Sequence, residues 1–156
     1  LDVSRYGDPP WRLLSPFVTP PVPLHIPGYS TYAADEPHTD FTFGDTVEGI
    51  WQGLKLIHGK TEEKLFQGPP RKRKGPVDGH DYGSYRVLGY TEAKALIYIP
   101  LYIALAKQRR DVLSSVSTAT FVDVAYQPET LGPKPISHAQ LLAEYLNGEL
   151  SEYQAA

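Results

Sequence analysis

Five prolines fall within SPFVTPPVPLHIPGY, residues 15–29, and they restrict what the front of this chain can become. Proline fixes φ and offers no N–H, so the stretch can be neither a helix interior nor a central sheet strand. Residues 1–45 show no helical period, and extended, PPII-like backbone with one short edge strand is what remains open to them. Their apolar side chains (Trp11, Leu13, Leu14, Phe17, Val22, Leu24 and Ile26) are too many for a free linker. The expectation is a Pro-rich extended arm over 1–45 packed on the domain, an α+β core over 46–148 and a frayed tail over 149–156.

Fifteen Pro and thirteen Gly in 156 residues extend that message to the whole chain: many turns, long connections and moderate helix content. The length suits one domain with its own core, and 41% hydrophobic with 21% charged residues argues against wholesale disorder. A net charge of −3 gives no global attraction to nucleic acid, so any anion site has to be local. The absence of cysteine excludes disulfides, a thiolate nucleophile and Cys-ligated zinc. Histidines 25, 38, 58, 80 and 138 show no HxxxH or HxH spacing, so no metal site is expected; no Walker loop, GxSxG or GxGxxG is present, and no cofactor is expected. The longest apolar run, ALIYIPLYIALA at 95–106, has a central proline and is too short to span a bilayer. With no basic-then-apolar leader and no Met anywhere, a cytoplasmic protein lacking its initiating residue is expected.

In TVEGIWQGLKLIHGK, residues 46–60, Val47, Ile50, Trp51, Leu54 and Ile57 recur at helical spacing. The spacing predicts a helix over 46–58, capped by Asp45 and ended by Gly59. Gly49 and Gly53 each cost about 1 kcal/mol against Ala inside a helix, so a backbone or a ligand should approach that face closely. Glu48, Gln52 and Lys55 fall at i, i+4 and i+7 and form a polar stripe. Two readings stay open. Glu48 is the N3 partner of a capping box, with Gln52 half-exposed and Lys55 snorkelling; or the stripe is one wall of a pocket. The helix dipole favours a negative charge at Glu48 in either case.

Farther along, Thr61 opens a short helix, TEEKLFQ, and residues 68–85 form a loop carrying Arg71, Lys72, Arg73 and Lys74. Such a run is a solvated loop or, with its flanking glycines, a phosphate clamp. Thr91 precedes EAKALIYIPLYIALAKQ, whose helical spacing competes with a period of two; as a helix it must kink or divide at Pro100. TATFVDVAY at 118–126 reads as a buried strand holding Asp123, which needs an ion-pair partner such as Arg86 or Arg109, or a purpose. Ser137 and Gln140 form a capping box for HAQLLAEYLNG. Tyr82, Tyr85, Tyr90, Tyr98 and Tyr102 read as core rings with hydroxyls at the rim, one or two of them available to stack on a base.

The order LLSPFVTPPVPLHIPG, FGDTVEGIWQGLKL, GPPRKR, a helix and LSSVSTATFVDVA, over roughly residues 12–126, resembles the NADAR/YbiA-like superfamily. That family has an SNF segment, a TVEHxxQAxK helix, a basic Gly-Arg segment and an LLxTG…LxE strand. The specific part is Val47, Glu48, Gln52 and Lys55. Pro16 stands where the family has the Asn of SNF, Gly49 follows the Glu where it has His, and its closing DxxWG is absent.

The resemblance implies a helix-rich, single-domain α+β fold with a small sheet, YbiA-like. It implies N-glycosidase chemistry on a ribosyl C1′–N bond, in a phosphorylated nucleotide-like small molecule or in ADP-ribosylated nucleic acid. Glu48 would match the catalytic Glu and Asp123 the late-strand acid; Gln52, Lys55, Arg71 and Arg73 would match the substrate-binding set. A ring such as Trp51 or Tyr85 would stack on the base, and Lys55, Arg71 and Arg73 would hold phosphate. An ionised carboxylate near C1′ stabilises oxocarbenium charge and orients water. The alternatives are a non-catalytic nucleotide or ADP-ribose-binding module and a structural protein that meets its partner through the Pro-rich arm.

Overall fold

The computed structural model describes residues 11–29, 43–83, 86–109 and 140–143. Trp11–Leu14 form a 3-10 turn, after which the Pro-rich segment runs extended into β1 (Leu24–His25). β1 pairs antiparallel with β2 (Phe43–Gly44), Leu24 opposite Gly44 and His25 opposite Phe43. Leu14, Leu24 and Ile26 are fully or almost fully buried and belong to the main core, whereas Val22 is exposed. The turn is anchored by the buried Tyr102 hydroxyl, which donates to the Leu14 carbonyl at 2.5 Å.

The helix predicted over 46–58 is α1, Val47–Leu54, and it ends four residues early. Its cap is Thr46, whose hydroxyl accepts from Gly49 N–H at 2.9 Å; Asp45 instead accepts from Gly68 N–H at 2.7 Å. With Thr46 as N-cap, Glu48 is N2, so the predicted capping box does not form. The chain then straightens into β3 (Lys55–Leu56), which pairs with β4 (Gly79–Asp81), itself paired with β5 (Val87–Leu88). Both pairings are antiparallel. Lys55 therefore leaves the helical stripe and sits opposite His80, with side chains on one sheet face.

The paired glycines have a structural cause. The 3-10 turn Glu63–Phe66 lies directly against α1. A Cβ on Gly49 would sit 2.5 Å from the Leu65 carbonyl oxygen, and one on Gly53 would sit 2.5 Å from the Phe66 ring. The close approach expected at these positions is made by the chain's own backbone and core.

Tyr90–Gln108 is one continuous helical run. It opens as α2 (Tyr90–Ala93) after Gly89 rather than from a Thr91 cap, passes through a π-turn at Lys94–Tyr98 and continues as α3 (Ile99–Gln108). Pro100 cannot donate and crowds the preceding turn, and the wider π-turn immediately before it relieves that conflict without breaking the helix. Ile97, Tyr98, Leu101, Tyr102 and Leu105 share one buried core with Ile50, Trp51, Leu54, Leu141 and Leu142. The fold is thus α+β, helices packed on two small antiparallel sheets. Among the described residues no helix is long and apolar enough to cross a membrane. The strand predicted at 118–126, with Asp123, and Tyr85 lie outside the described residues; of the last predicted helix, residues 140–143 are described and are helical.

Candidate functional site

α1 presents Glu48, Trp51 and Gln52 toward the start of the long helical run. Glu48 is partly exposed, and Pro16 of the arm closes over it, accepting the Glu48 backbone N–H at 3.0 Å. Its carboxylate accepts from Gln52 Nε2 at 2.7 Å, and the Gln52 amide oxygen accepts from Arg73 N–H at 3.2 Å. Gln52 is 4% exposed and has both ends of its amide bonded, so it holds the carboxylate in one orientation. That is an aimed acid rather than a capping partner.

Lys94, at the first position of the π-turn, lies near enough for the Glu48 charge to act on it. Its Nζ lies 3.8 Å from the ring centroid of Tyr98, 5.3 Å from Trp51 and 5.9 Å from Tyr90. Three rings around one ammonium form a cation–π cluster. Burial lowers the Lys94 pKa to about 8; the Glu48 charge opposes that shift and Lys55 reinforces it. Near neutral pH this amine is charged but close to its titration point, which suits a group that gives up a proton.

His80 completes the floor. It is 2% exposed, stacked on Trp51 at 3.9 Å between centroids and tilted by 30°. Burial, then the charges of Lys55 and Lys94, lower its pKa to about 4, against a weaker opposing contribution from the Trp51 backbone. The ring is therefore neutral at pH 7; the Trp51 backbone lies near it, but neither nitrogen closes a hydrogen bond of good geometry among the described residues. A buried donor and acceptor without partners carry a desolvation cost, of the kind found at sites that take a ligand or water. No group of three or more His, Asp or Glu suited to a metal ion occurs among the described residues.

The structure thus brings together Glu48, Gln52, Trp51 and Lys55 of the predicted site. Trp51 is only 6% exposed, and its ring is packed against His80, Lys94 and Tyr98. It builds the wall, and the exposed ring at the rim is Tyr90. The arginines have another use. Arg73 donates to the carbonyls of Gln52 at 3.4 Å, of Lys60 at 2.8 Å and of Lys55, and its Nε pairs with Glu62 at 3.3 Å. Its guanidinium therefore ties off the end of α1 and the turn after β3. Arg71 is exposed and pairs with the same Glu62.

Lys94 and His80 were not singled out by the sequence. Lys94 had a signal in the register: Tyr90, Lys94, Tyr98 and Tyr102 recur at i+4, a cation in a stripe of rings. His80 had none, since its place under Trp51 depends on the β3–β4 register.

No curated protein and no solved structure matches this chain. One family model does, over residues 1–142. With nearly its whole length covered, the chain belongs to the family of unknown function designated DUF6939.

Proposed function

We propose that this protein is an N-glycosidase-like hydrolase of the cytoplasm, a divergent relative of the NADAR/YbiA-like superfamily with a YbiA-like form of the α+β fold. Its reaction is cleavage of a ribosyl C1′–N bond in a phosphorylated, nucleotide-like substrate of ADP-ribosyl or ribosylamine type. The observation that carries this reading is the convergence of Glu48, fixed by Gln52, with Lys94, whose pKa is lowered to about 8. As the C1′–N bond lengthens, positive charge grows on the sugar; the Glu48 carboxylate stabilises it and orients water toward C1′. Lys94 gives a proton to the departing nitrogen. Water supplies hydroxide to C1′, and its remaining proton restores the Lys94 ammonium, so the reaction balances.

Tyr90, 46% exposed beside Trp51, supports stacking of the base at the rim. Lys55 supports phosphate binding together with the exposed Lys72 and Lys74, because Arg73 is occupied by main-chain carbonyls. Asp123 is proposed as the second acid. A second reading, nucleotide or ADP-ribose binding without turnover, draws on the packing of Lys94 Nζ over Tyr98, which stabilises a cation as well as presenting one.

The test is a chromatographic assay of base release from ADP-ribosylated guanine in single-stranded DNA and from a phosphorylated pyrimidine ribosylamine, run beside equilibrium binding of ADP-ribose. Release of the base supports hydrolysis. Tight ADP-ribose binding with no release selects the second reading, and neither binding nor release refutes both.

A further inference from the structure

The other side of the same helix carries a feature that the proposed reaction does not use. Lys94 and Tyr98 face Trp51, whereas Leu96, Pro100 and Ala104 turn away toward β1 and β2. There the described residues enclose a cavity of about 410 Å³, within the usual size range of small-molecule sites. Phe43 and His25 form one wall, their rings 4.4 Å apart and tilted by 43°; Tyr82 and the Pro27–Gly28 turn form another.

Two properties of the lining define its chemistry. No Lys, Arg, Asp or Glu contributes to it, and its one imidazole, His25, is packed against the Phe43 ring, so no permanently charged side chain is there to hold a phosphate or a carboxylate. Pro23, Pro27 and Pro100 lack backbone N–H groups, and the Gln108 side chain already bonds Val22 at both its N–H (2.8 Å) and its carbonyl (3.0 Å). Few donors remain to keep water, and apolar cavities with few polar partners stay dry and accept apolar guests. The Gln108–Val22 pair also ties the arm to the helix at one edge of the cavity. Phe43 is 42% exposed at its mouth, an energetic cost that a guest would remove.

We infer that this cavity is a second ligand site, separate from the Glu48–Lys94 cluster, for a neutral, aromatic small molecule. The ring of the guest packs between Phe43 and the Leu96–Pro100 face, and a charged group on it is excluded. The test uses fluorine NMR at pH 8 with 5-fluoroindole as probe and 5-fluoroindole-2-carboxylate as its charged counterpart. Saturable binding of the neutral probe is expected, at least tenfold tighter than the carboxylate. Ala104→Trp fills the cavity from a partly exposed helix position and should weaken 5-fluoroindole at least tenfold. Phe43→Ala, at an exposed position, should weaken it several-fold should the first variant fold poorly by circular dichroism. Lys94→Met should leave the affinity unchanged. No saturable binding to the wild-type protein overturns the inference. So does equal affinity for the two probes, or affinity untouched by either cavity variant.

Discussion

Replacing Gly49 by Ala tests the packing that aims Glu48. Inside a helix the change should stabilise by about 1 kcal/mol, since Gly is the poorer helix former. Here the new Cβ would lie 2.5 Å from the Leu65 carbonyl oxygen and 2.8 Å from the Thr46 hydroxyl that caps the helix. The carbonyl cannot easily retreat. Its turn is held to α1 by Glu62 N–H donating to Gly53 at 2.9 Å and to the strand before it by Asp45 N–H donating to Phe66 at 2.8 Å. Overpacking of this kind costs about 1–3 kcal/mol, and a disturbed cap costs about 1 kcal/mol more. The net expectation is a loss of about 1–3 kcal/mol, a fall in Tm of roughly 3–10 °C for a domain of this size. Gly89→Ala is the control, because a Cβ there meets nothing within 4 Å and φ is −71°. Urea denaturation followed by tryptophan fluorescence measures both. A Gly49→Ala protein as stable as wild type would refute the argument that the Leu65 carbonyl leaves no room for a side chain at 49.

Three further outcomes follow from the site. Lys94 has a folded pKa near 8 against 10.5 for the free side chain, so the unfolded chain holds more protons between those values and stability gains with rising pH across that window. Lys94→Met should therefore gain most over wild type at pH 7 and least at pH 10.5; a gap independent of pH contradicts the burial of that charge. His80, lowered to about 4 from 6.5, contributes stability present above about pH 6.5 that is lost as pH falls through 4. His80→Phe should flatten that acid limb in thermal melts, and an unchanged limb counts against it. Arg73→Lys should cost about 1–3 kcal/mol, since one ammonium cannot serve three carbonyls and Glu62, while the exposed Arg71→Ala should cost about 0–1 kcal/mol. Equal losses in urea titrations would argue against the structural role of Arg73.

What the sequence made legible was local. The apolar period from Val47 to Leu54 marked α1, and the glycine pair marked a close approach, because both signals are carried by neighbours three and four residues apart. Adjacent cap-forming residues, Asp45 and Thr46, left the helix start ambiguous by one position, and that single step removes Glu48 from the capping box. Lys55 was misplaced because strand pairing with His80 overrides the helical pattern after Leu54. Pro100 was expected to kink or divide the helix at its own position; the run instead stays continuous, with a π-turn at Lys94–Tyr98 before it, which no periodicity encodes. The basic run gave no hint that Arg73 would turn inward onto main-chain carbonyls. The i+4 recurrence of Tyr90, Lys94, Tyr98 and Tyr102 marked Lys94 as a cation among rings, but its meeting with Trp51, and the whole placement of His80, come from tertiary packing that no spacing encodes.

The central claim is that Glu48 acts on the sugar. The measurement that tests it most directly is single-turnover base release from ADP-ribosylated guanine DNA, comparing wild type with Glu48→Gln. That substitution keeps the side chain's size and a bonding partner for Gln52 while removing the charge. The account predicts unchanged stability, retained ADP-ribose binding and a rate reduced by at least ~100-fold, the scale of one electrostatic group at a developing charge. Equal rates for the two proteins would contradict it.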